Sequence, residues 1–264
     1  MSAASQVMPV LPLAGRHALV TGASRGIGAA IARSLAQAGA QLTLLGRTAA
    51  PLQALADELG PVHGFACADV ADAAQVQAAV DAARAARGPV LMLVNNAGQA
   101  ESAPFARTSA ELWQRMLAVN LTGCFTCTQA VLPDMRTARR GRIVNIASTA
   151  AQRGYAYVSA YVAAKHGVLG LTRALALELA AEGITVNAVC PGYTETEILR
   201  QSIEKVVART GRSTEAARAE FSRFNPQGRF VQPEEVADAV RWLCGSGAAA
   251  ITGQAISVSG GEVM

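Results

Sequence analysis

Short apolar runs alternate with amphipathic stretches along the chain from residue 16 onward. Apolar runs are typical of buried strands, and apolar residues spaced three and four apart are typical of helices. The predicted strands are His17–Val20, Gln41–Leu45, Val62–Ala66, Val90–Val94, Arg142–Ala147, Ile184–Val189 and Ala255–Val258. The predicted helices are Gly26–Gln37, Pro51–Leu59, Ala71–Arg87, Glu111–Met135 and Tyr157–Ala181. This alternation predicts a three-layer α/β fold, doubly wound, in which helices cover both faces of a mainly seven-stranded parallel sheet.

The domain organisation is predicted from the segments that lack this alternation of strands and helices. No internal repeat or low-complexity linker divides the chain, so we predict one domain over residues 15–264. Residues 1–14 are small and apolar, lack the basic leader of a signal peptide and are expected to form a flexible N-terminal arm. Residues 194–232 are rich in charge and lack the strand pattern. Long excursions near a ligand-binding edge are often lids, and a plain surface insertion is the alternative.

Composition excludes two classes of partner. A chain of 264 residues, 51% apolar, can bury a sizeable core within a single large α/β domain. No apolar run approaches the roughly 18 residues that cross a bilayer, so no membrane partner is expected. The net charge of +4 is spread along the chain without interleaved aromatic residues, so no nucleic acid is expected either.

The densest basic run precedes the strand that begins at Arg142. It consists of Arg136, Arg139, Arg140 and Arg142. One interpretation is a solvated turn between a helix and a strand. The alternative is a docking patch for an acidic or phosphorylated substrate carrier.

Cysteine usage indicates a reducing compartment. The five cysteines are an odd number and are scattered, so we predict a cytoplasmic protein with free thiols. Cys124 and Cys127 have the spacing of zinc ligands, but no second pair or nearby histidine completes a site. We therefore predict no metal site.

The segment Thr21–Gly28 directly follows the first predicted strand and opens the first predicted helix. Its glycines, spaced Gly-x3-Gly-x-Gly, let the chain turn tightly and bring backbone N–H groups close to a pyrophosphate. The helix N-terminus adds its partial positive charge. This strand–loop–helix context predicts a dinucleotide-binding site. The predicted contact residues are Gly22, Ser24, Arg25, Gly26, Ile27 and Gly28.

Arg47 follows the second predicted strand, where an NAD-binding fold usually has an acid for the ribose 2′-hydroxyl. An arginine cannot accept a hydrogen bond from that hydroxyl, but it can pair with a 2′-phosphate. Arg25 offers a second cation nearby. NADP(H) is therefore favoured as the cofactor. NAD(H) is the alternative, in which case Arg47 is only a solvated residue before the next helix.

Tyr161 and Lys165 form the most informative pair of residues. The chain has four tyrosines and only two lysines, so a Tyr-x-x-x-Lys pair is improbable by chance. Residues four apart lie on the same face of a helix. An ammonium beside a phenol favours the phenolate, so the tyrosine can pass a proton to or from a substrate oxygen. The alternative is a packed tyrosine with a solvated lysine one turn further on.

Together these features resemble the short-chain dehydrogenase/reductase family, in its compact single-domain branch. The resemblance covers about residues 14–262 and includes the catalytic group Ser148, Tyr161 and Lys165 at the usual spacing. The other segments that match the family's motifs are Thr21–Gly28, Asp69–Val70, Asn95–Gly98, Val119–Leu121, Pro191–Thr196, Ile251–Gln254 and Ser259–Gly261.

The resemblance implies a Rossmann fold and hydride transfer between a nicotinamide and a carbonyl carbon. Tyr161 is then the general acid in reduction, and Lys165 assists Tyr161 and binds the nicotinamide ribose. Ser148 donates a hydrogen bond to the substrate oxygen, and Asn120 holds a water that links Lys165 to solvent. The further cofactor contacts implied are Asp69, Val70, Asn96, Ala97, Gly98, Pro191, Gly192, Thr194 and Thr196, together with Tyr161 and Lys165.

Within the family, Gly141–Ala150, Gly183–Gly192 and Gly228–Pro233 look like the 3-oxoacyl-thioester and polyketide ketoreductases. The leading hypothesis is an NADPH-dependent enzyme that reduces a ketone, free or linked to coenzyme A or a carrier protein, to a secondary alcohol. One alternative is an NAD(P)-dependent dehydrogenase that oxidises a secondary alcohol or hydroxyacyl-CoA in catabolism. A non-catalytic dinucleotide sensor is the other. The resemblance also implies a homotetramer, with the helices Glu111–Met135 and Tyr157–Ala181 as interface candidates.

Overall fold

The chain folds around one parallel sheet. The computed structural model describes residues 11–264. In this part of the chain the strands are β1 (His17–Thr21), β2 (Gln41–Gly46), β3 (Gly64–Cys67), β4 (Val90–Asn95), β5 (Gly141–Ile146), β6 (Ile184–Pro191) and β7 (Ala255–Val258). All pairings are parallel, in the order β3-β2-β1-β4-β5-β6-β7. The predicted doubly wound fold is confirmed, and each predicted strand is present within two residues of its expected ends.

Helices cover both faces of the sheet. They are α1 (Gly26–Gln37), α2 (Ala49–Leu59), α3 (Ala73–Arg87), α4 (Ala110–Leu117), α5 (Gly123–Ala138), α6 (Ser159–Leu179), α7 (Glu197–Thr210), α8 (Thr214–Ser222) and α9 (Pro233–Cys244). One face of the sheet packs against α1, α2 and α9, and the other packs against α3, α5 and α6. Each face therefore has its own apolar core, and both cores include alternate side chains of the same strands.

Two helix predictions need correction. The single helix predicted over Glu111–Met135 is divided, because one π-helical turn at Ala118–Thr122 separates α4 from α5. Helix α9 has no counterpart among the predicted helices, although its start carries clear signals. Pro233 occupies the first turn, and Glu235 accepts a hydrogen bond from the Gln232 backbone N–H, as in a capping box.

The combined helical stretch Ala110–Ala138 is the one helix among residues 11–264 that is long and apolar enough to cross a membrane. Half of its most apolar window is buried inside the domain. That burial is typical of the core helix of a globular fold.

The packed domain begins before the predicted boundary at residue 15. Residues 1–10 of the predicted arm lie outside the described residues. Leu13 is fully buried, and its backbone N–H donates to Ala38 O at 2.9 Å. Residues 11–14 therefore pack against the end of α1.

Residues 194–232 contain two helices that the sequence pattern did not predict, α7 and α8. They share a small core of Leu199, Ile203, Ala217 and Phe230. A parallel bridge between Thr194 and Val231 joins the two ends of the segment, and Glu195 N–H donates to Val231 O at 2.9 Å. The segment is thus a closed helical unit that begins where β6 ends.

The basic run that begins at Arg136 lies at the amino end of β5, opposite the carboxyl end. Arg136 pairs with Glu178 and Glu182 at 3.4 and 3.0 Å, and Arg139 Nη2 donates to Ala181 O at 2.8 Å. Strand β5 has six residues, and a strand rises about 3.3 Å per residue, so the run lies about 20 Å from residues beyond the far end of β5. A carrier docked on this run would not touch Ser148 of the same chain.

Candidate active site

The strand order reverses between β1 and β4, since β1 continues to β2 on one side and the later strands lie on the other. Ligands of doubly wound sheets bind in the crevice beside the carboxyl ends of the strands at this point. The loops after β1, β4, β5 and β6 carry most of the predicted site residues, so the topology brings them to one edge of the sheet.

The glycine loop after β1 has the conformation expected for close approach to a phosphate. Gly22 and Gly26 adopt positive φ angles of 62° and 55°, which side chains disfavour. A Cβ atom on Gly28 would lie 2.2 Å from Gly22 O, so only glycine fits there. Asn96 Nδ2 donates to Thr21 O at 2.9 Å and to Gly22 O at 3.1 Å, which ties this loop to the loop after β4.

The N-terminus of α1 offers free backbone donors. Its N-cap residue is Arg25, no described side chain caps it, and no acidic residue lies in its first turn. The first N–H groups of an α-helix have no partner within the helix. A dinucleotide pyrophosphate would satisfy them, and the glycine positions leave space for it. The residues present therefore fit the predicted cofactor.

The predicted adenosine end of the site is a shallow cavity of about 250 Å³. Its lining residues are Arg47, Cys67, Ala68, Asp69 and Gln75. Asp69 Oδ1 accepts from Ala71 N–H at 3.0 Å, and Asp69 N–H donates to Gln75 Oε1 at 3.0 Å, so Asp69 is fixed in place. Arg47 is exposed at the mouth. Val70, also a predicted contact, is buried and lies against Gly123 at the start of α5.

Tyr161 and Lys165 lie one turn apart on α6, as the spacing predicts. Lys165 Nζ lies 5.7 Å from the centroid of the Tyr161 ring. The lysine is only 4% exposed, and its Nζ donates to Ile146 O, at the end of β5, at 2.8 Å. The ammonium is thus buried beside the phenol, so the interpretation as a solvated surface lysine is wrong.

Asn120 lies in the π-helical turn between α4 and α5 and is fully buried. Its side-chain Nδ2 donates to Gln99 O at 2.9 Å and to Met116 O at 3.0 Å. A Cβ on Gly98 would lie 2.9 Å from Asn120 Oδ1 and 3.7 Å from Lys165 Nζ. Gly98 therefore lies beside both the Asn120 amide and the Lys165 ammonium, and a larger residue at this position would collide with the amide oxygen.

Ser148 follows β5 directly. Its Oγ accepts from Ala150 N–H at 3.1 Å, which orients the hydroxyl at the first turn after the strand. Lys165 donates to Ile146, two residues before Ser148. Ser148 and helix α6 are therefore both anchored at the carboxyl end of β5.

A buried chain of polar side chains fixes α6 to the sheet. Asn95 Nδ2 donates to Asn145 Oδ1 at 2.9 Å, and Asn145 Nδ2 donates to Thr172 Oγ1 at 2.9 Å. All three residues are at most 3% exposed. If one member of this chain is removed, its partner is left buried without a hydrogen bond, which costs the full desolvation free energy of that partner. The chain therefore sets the position of α6 against β4 and β5.

The segment Pro191–Thr196 meets the glycine loop. Gly192 N–H donates to Val258 O at 3.0 Å, and Thr194 Oγ1 donates to Gly192 O at 2.9 Å. Thr196 caps the N-terminus of α7, and its Cγ2 lies 3.3 Å from the position of a Cβ on Gly26. The glycine loop, predicted to contact the pyrophosphate, and the segment Pro191–Thr196, also predicted to contact the cofactor, thus converge at the N-terminus of α1.

A second polar group beside the site was not predicted from sequence. Tyr155 donates its hydroxyl proton to Glu262. Burial and this carboxylate raise the pKa of Tyr155. Burial likewise raises the pKa of Glu262, against the opposing effects of Tyr155 and Arg153. Tyr157, by contrast, is 67% exposed.

Tyr193 packs beside this group. Its ring packs edge-on against the ring of Tyr155, with centroids 6.3 Å apart. Burial is the largest cause, and the negative charges that Glu262 and Tyr161 can carry add to it, so that the pKa of Tyr193 is raised to about 12. Tyr193 therefore remains a neutral phenol.

The cysteine pair on α5 is inert. Cys124 and Cys127 are buried, and burial raises the pKa of Cys127 to about 12. Across residues 11–264 no group of three or more His, Cys, Asp and Glu side chains has the geometry of a metal site.

Comparison with known proteins is consistent with this geometry. A family model described as short chain dehydrogenase matches residues 16–206. The chain is similar to granaticin polyketide synthase putative ketoacyl reductase 1 of Streptomyces violaceoruber, with 45% identity over 92% of each chain. It is 37% identical to the 3-oxoacyl-[acyl-carrier-protein] reductase FabG of Escherichia coli K12, over 95% of this chain and 98% of the other. A crystal structure of a single-substitution variant of actinorhodin polyketide ketoreductase with NADPH matches with a TM-score of 0.90 and 43% identity, over 94% and 97% of the two chains.

Proposed function

Because this chain belongs to the short-chain dehydrogenase family, it is an oxidoreductase of C=O and CH–OH groups, and we propose that it reduces the ketone of a 3-oxoacyl or polyketide thioester with NADPH. The observation that carries the proposal is the buried ammonium of Lys165 beside Tyr161, at the carboxyl edge of the sheet. A lysine with a purely structural role would not need a phenol one helical turn away or the Asn120 amide nearby.

The reaction needs a proton for the substrate oxygen, and Tyr161 supplies it. When bound, NADPH provides the hydride for the carbonyl carbon. Tyr161 then gives its phenolic proton to the carbonyl oxygen, and the product is a secondary alcohol. The Lys165 ammonium stabilises the negative charge left on Tyr161. Ser148 donates a hydrogen bond to the oxygen while charge develops there, and Asn120 positions a water for proton resupply from solvent.

Preference for NADPH rests on two cations, one at the adenosine cavity and one at the start of α1. Arg47 lines that cavity, and Arg25 is the N-cap residue of α1, whose N-terminus would face the pyrophosphate. Guanidinium groups pair well with a 2′-phosphate. The crystallised polyketide ketoreductase to which the chain is similar was solved with NADPH.

The thioester substrate is inferred from the relatives' names, which specify ketoacyl and acyl-carrier-protein substrates. The helical unit over residues 194–232 supports this choice, because a separate unit with its own core can cover a long acyl chain. We assign it the role of a substrate lid.

Self-association and location complete the proposal. Phe125 on α5 and Leu177 on α6 are 48% and 85% exposed, on the helices expected at subunit interfaces. Exposed large apolar side chains of this kind favour a homotetramer. All five cysteines are free thiols, which fits the cytoplasm.

The proposal is tested with acetoacetyl-CoA, a carrier-linked 3-oxoacyl group and simple ketones, each with NADPH and NADH. We expect reduction with NADPH and a loss of turnover of about 100-fold or more in Tyr161→Phe, the usual effect of removing a general acid. NADPH affinity should be retained in that variant. Tyr157→Phe is the matched control, because Tyr157 is exposed. Turnover that survives in Tyr161→Phe would refute the assigned proton donor.

A further inference from the structure

Glu262 ends a chain of hydrogen bonds that begins next to the catalytic serine. Thr149, the residue after Ser148, has its Oγ1 2.8 Å from the Tyr155 hydroxyl oxygen. Tyr155 has one proton, and a carboxylate can only accept, so that proton goes to Glu262 Oε1 while Thr149 donates to Tyr155. The chain of donors is therefore directed from the catalytic loop towards the carboxylate.

The second oxygen of this carboxylate has no partner. Glu262 Oε2 is buried, and no group among residues 11–264 lies within hydrogen-bonding distance of it. It lies against Gly192, where a Cβ would approach it to 2.7 Å. Gly192 precedes Tyr193, whose ring packs against that of Tyr155. A buried carboxylate oxygen without a donor is costly, and this carboxylate is linked through Tyr155 to Thr149, the residue after Ser148, so its place calls for a donor from outside the chain.

The charge nearby favours a neutral donor over a cation. The guanidinium carbon of Arg153 lies 5.1 Å from the centroid of the Tyr155 ring and 6.0 Å from that of Phe224. Its positive charge offsets that of Glu262 and disfavours an incoming ammonium. A second buried atom without a partner, Asn225 Nδ2, lies against Gly260 in the same segment as Glu262. A hydroxyl can both donate and accept, so it suits a wall that presents both kinds of group.

We propose that Glu262 is a specificity-determining residue that accepts a hydrogen bond from a hydroxyl group carried by the substrate at a distance from its reacting ketone. The proposal rests on the proposed function and narrows its substrate class to hydroxylated ketones. Gly192 shields Oε2 in this structure, so the proposed contact requires a rotation about the Glu262 side-chain bonds. The preceding glycines, Gly260 and Gly261, have positive φ angles of 61° and 95°, which set the turn that directs Glu262 to the site.

The test uses ketone pairs that differ only by a hydroxyl and a methyl group. The pairs are 4-hydroxycyclohexanone with 4-methylcyclohexanone, and 4-(4-hydroxyphenyl)butan-2-one with 4-(4-methylphenyl)butan-2-one. We expect the wild type to prefer at least one hydroxyl member in kcat/KM. In Glu262→Leu that preference should fall by about 10- to 100-fold, the range for a hydrogen bond to a charged group. The change should appear mainly in KM, because the contact is made in both ground and transition states. Glu262→Gln, which keeps one acceptor oxygen without the charge, should be intermediate.

The controls separate this proposal from the function on which it rests. Glu234→Leu removes an exposed glutamate on α9, outside residues 194–232, and should leave the preference as in the wild type. A wild type that prefers neither hydroxyl member, or a Glu262→Leu variant that loses both members of each pair equally, would overturn the role of Glu262. Preference for 4-aminocyclohexanone over the hydroxyl compound would overturn the neutral donor. Failure of the wild type to reduce any of these ketones or the thioesters would instead refute the proposed function.

Discussion

Lys165 is a buried ammonium, and its replacement by methionine should reduce activity while raising stability. The side chain is 4% exposed, and within residues 11–264 its Nζ makes one hydrogen bond, to Ile146 O. No carboxylate in the described part of the chain forms an ion pair with it. Methionine fills nearly the same volume with a flexible apolar chain and carries no charge.

The expected change in the free energy of unfolding follows from two opposing contributions. Burial of an ion costs several kcal/mol in real proteins, and the substitution removes that cost. The lost hydrogen bond to Ile146 O is worth about 1.5–3 kcal/mol, because its donor is charged. The net gain in the free energy of unfolding should be about 1–2 kcal/mol, which raises the Tm by about 2–8 °C for a chain of this length. Activity should fall by about 100-fold or more, since Tyr161 loses the charge that stabilises its phenolate.

The assay compares Lys165→Met with Lys205→Met, which replaces the chain's other lysine on the exposed surface of α7. Thermal unfolding is followed at fixed protein concentration without cofactor, because ligands and association both shift the Tm. Lys205→Met should change neither the Tm nor kcat/KM. If Lys165→Met lowers the Tm, the ammonium stabilises the end of β5. That result would refute the idea that burial of this charge destabilises the fold.

Three other substitutions probe the remaining parts of the site and fold. Arg47→Asp should weaken NADPH binding by about 10- to 150-fold and NADH binding far less, as measured by fluorescence titration; equal losses would place the 2′-phosphate elsewhere. Gly28→Ala should destabilise the protein by about 1–3 kcal/mol and weaken both cofactors, because its Cβ would lie 2.2 Å from Gly22 O; a normal urea midpoint would contradict the close approach. His17 is 2% exposed, and burial lowers its pKa, so the unfolded state binds more protons and stability should fall as the pH drops below about 6.5. His17→Gln should reduce this acid-induced loss in urea unfolding at pH 7.5 and 5.5, and an unchanged difference would show that other groups cause it.

Much of the candidate site was predictable because the residues that suggest its chemistry are local in sequence. Tyr161 and Lys165 are one helical turn apart, and Gly22–Gly28 is one loop between a strand and a helix. These positions follow from periodicity and spacing. Ser148 was named only through the family resemblance, and the parallel topology places it at the same edge of the sheet because it follows β5.

The parts that were not predictable depend on distant contacts. Tyr155 meets Glu262 across 107 residues, and nothing near either residue indicates the pairing. The π-helical turn at Asn120 is also invisible to periodicity, because a single extra residue in a turn leaves the apolar pattern of α4 and α5 nearly unchanged. Helix α9 is different, since its Pro233 and Glu235 start signals were present in the sequence.

The scarcity of lysine has a practical consequence for studying motion in this protein. Lys165 is buried, whereas Lys205 is exposed near the middle of α7. Among the side chains, an amine-directed reagent at neutral pH will therefore acylate the Lys205 position first. A fluorophore attached there needs no engineered cysteine and sits on the unit that covers residues 194–232. Its anisotropy during turnover would therefore test the proposed role of that unit as a lid.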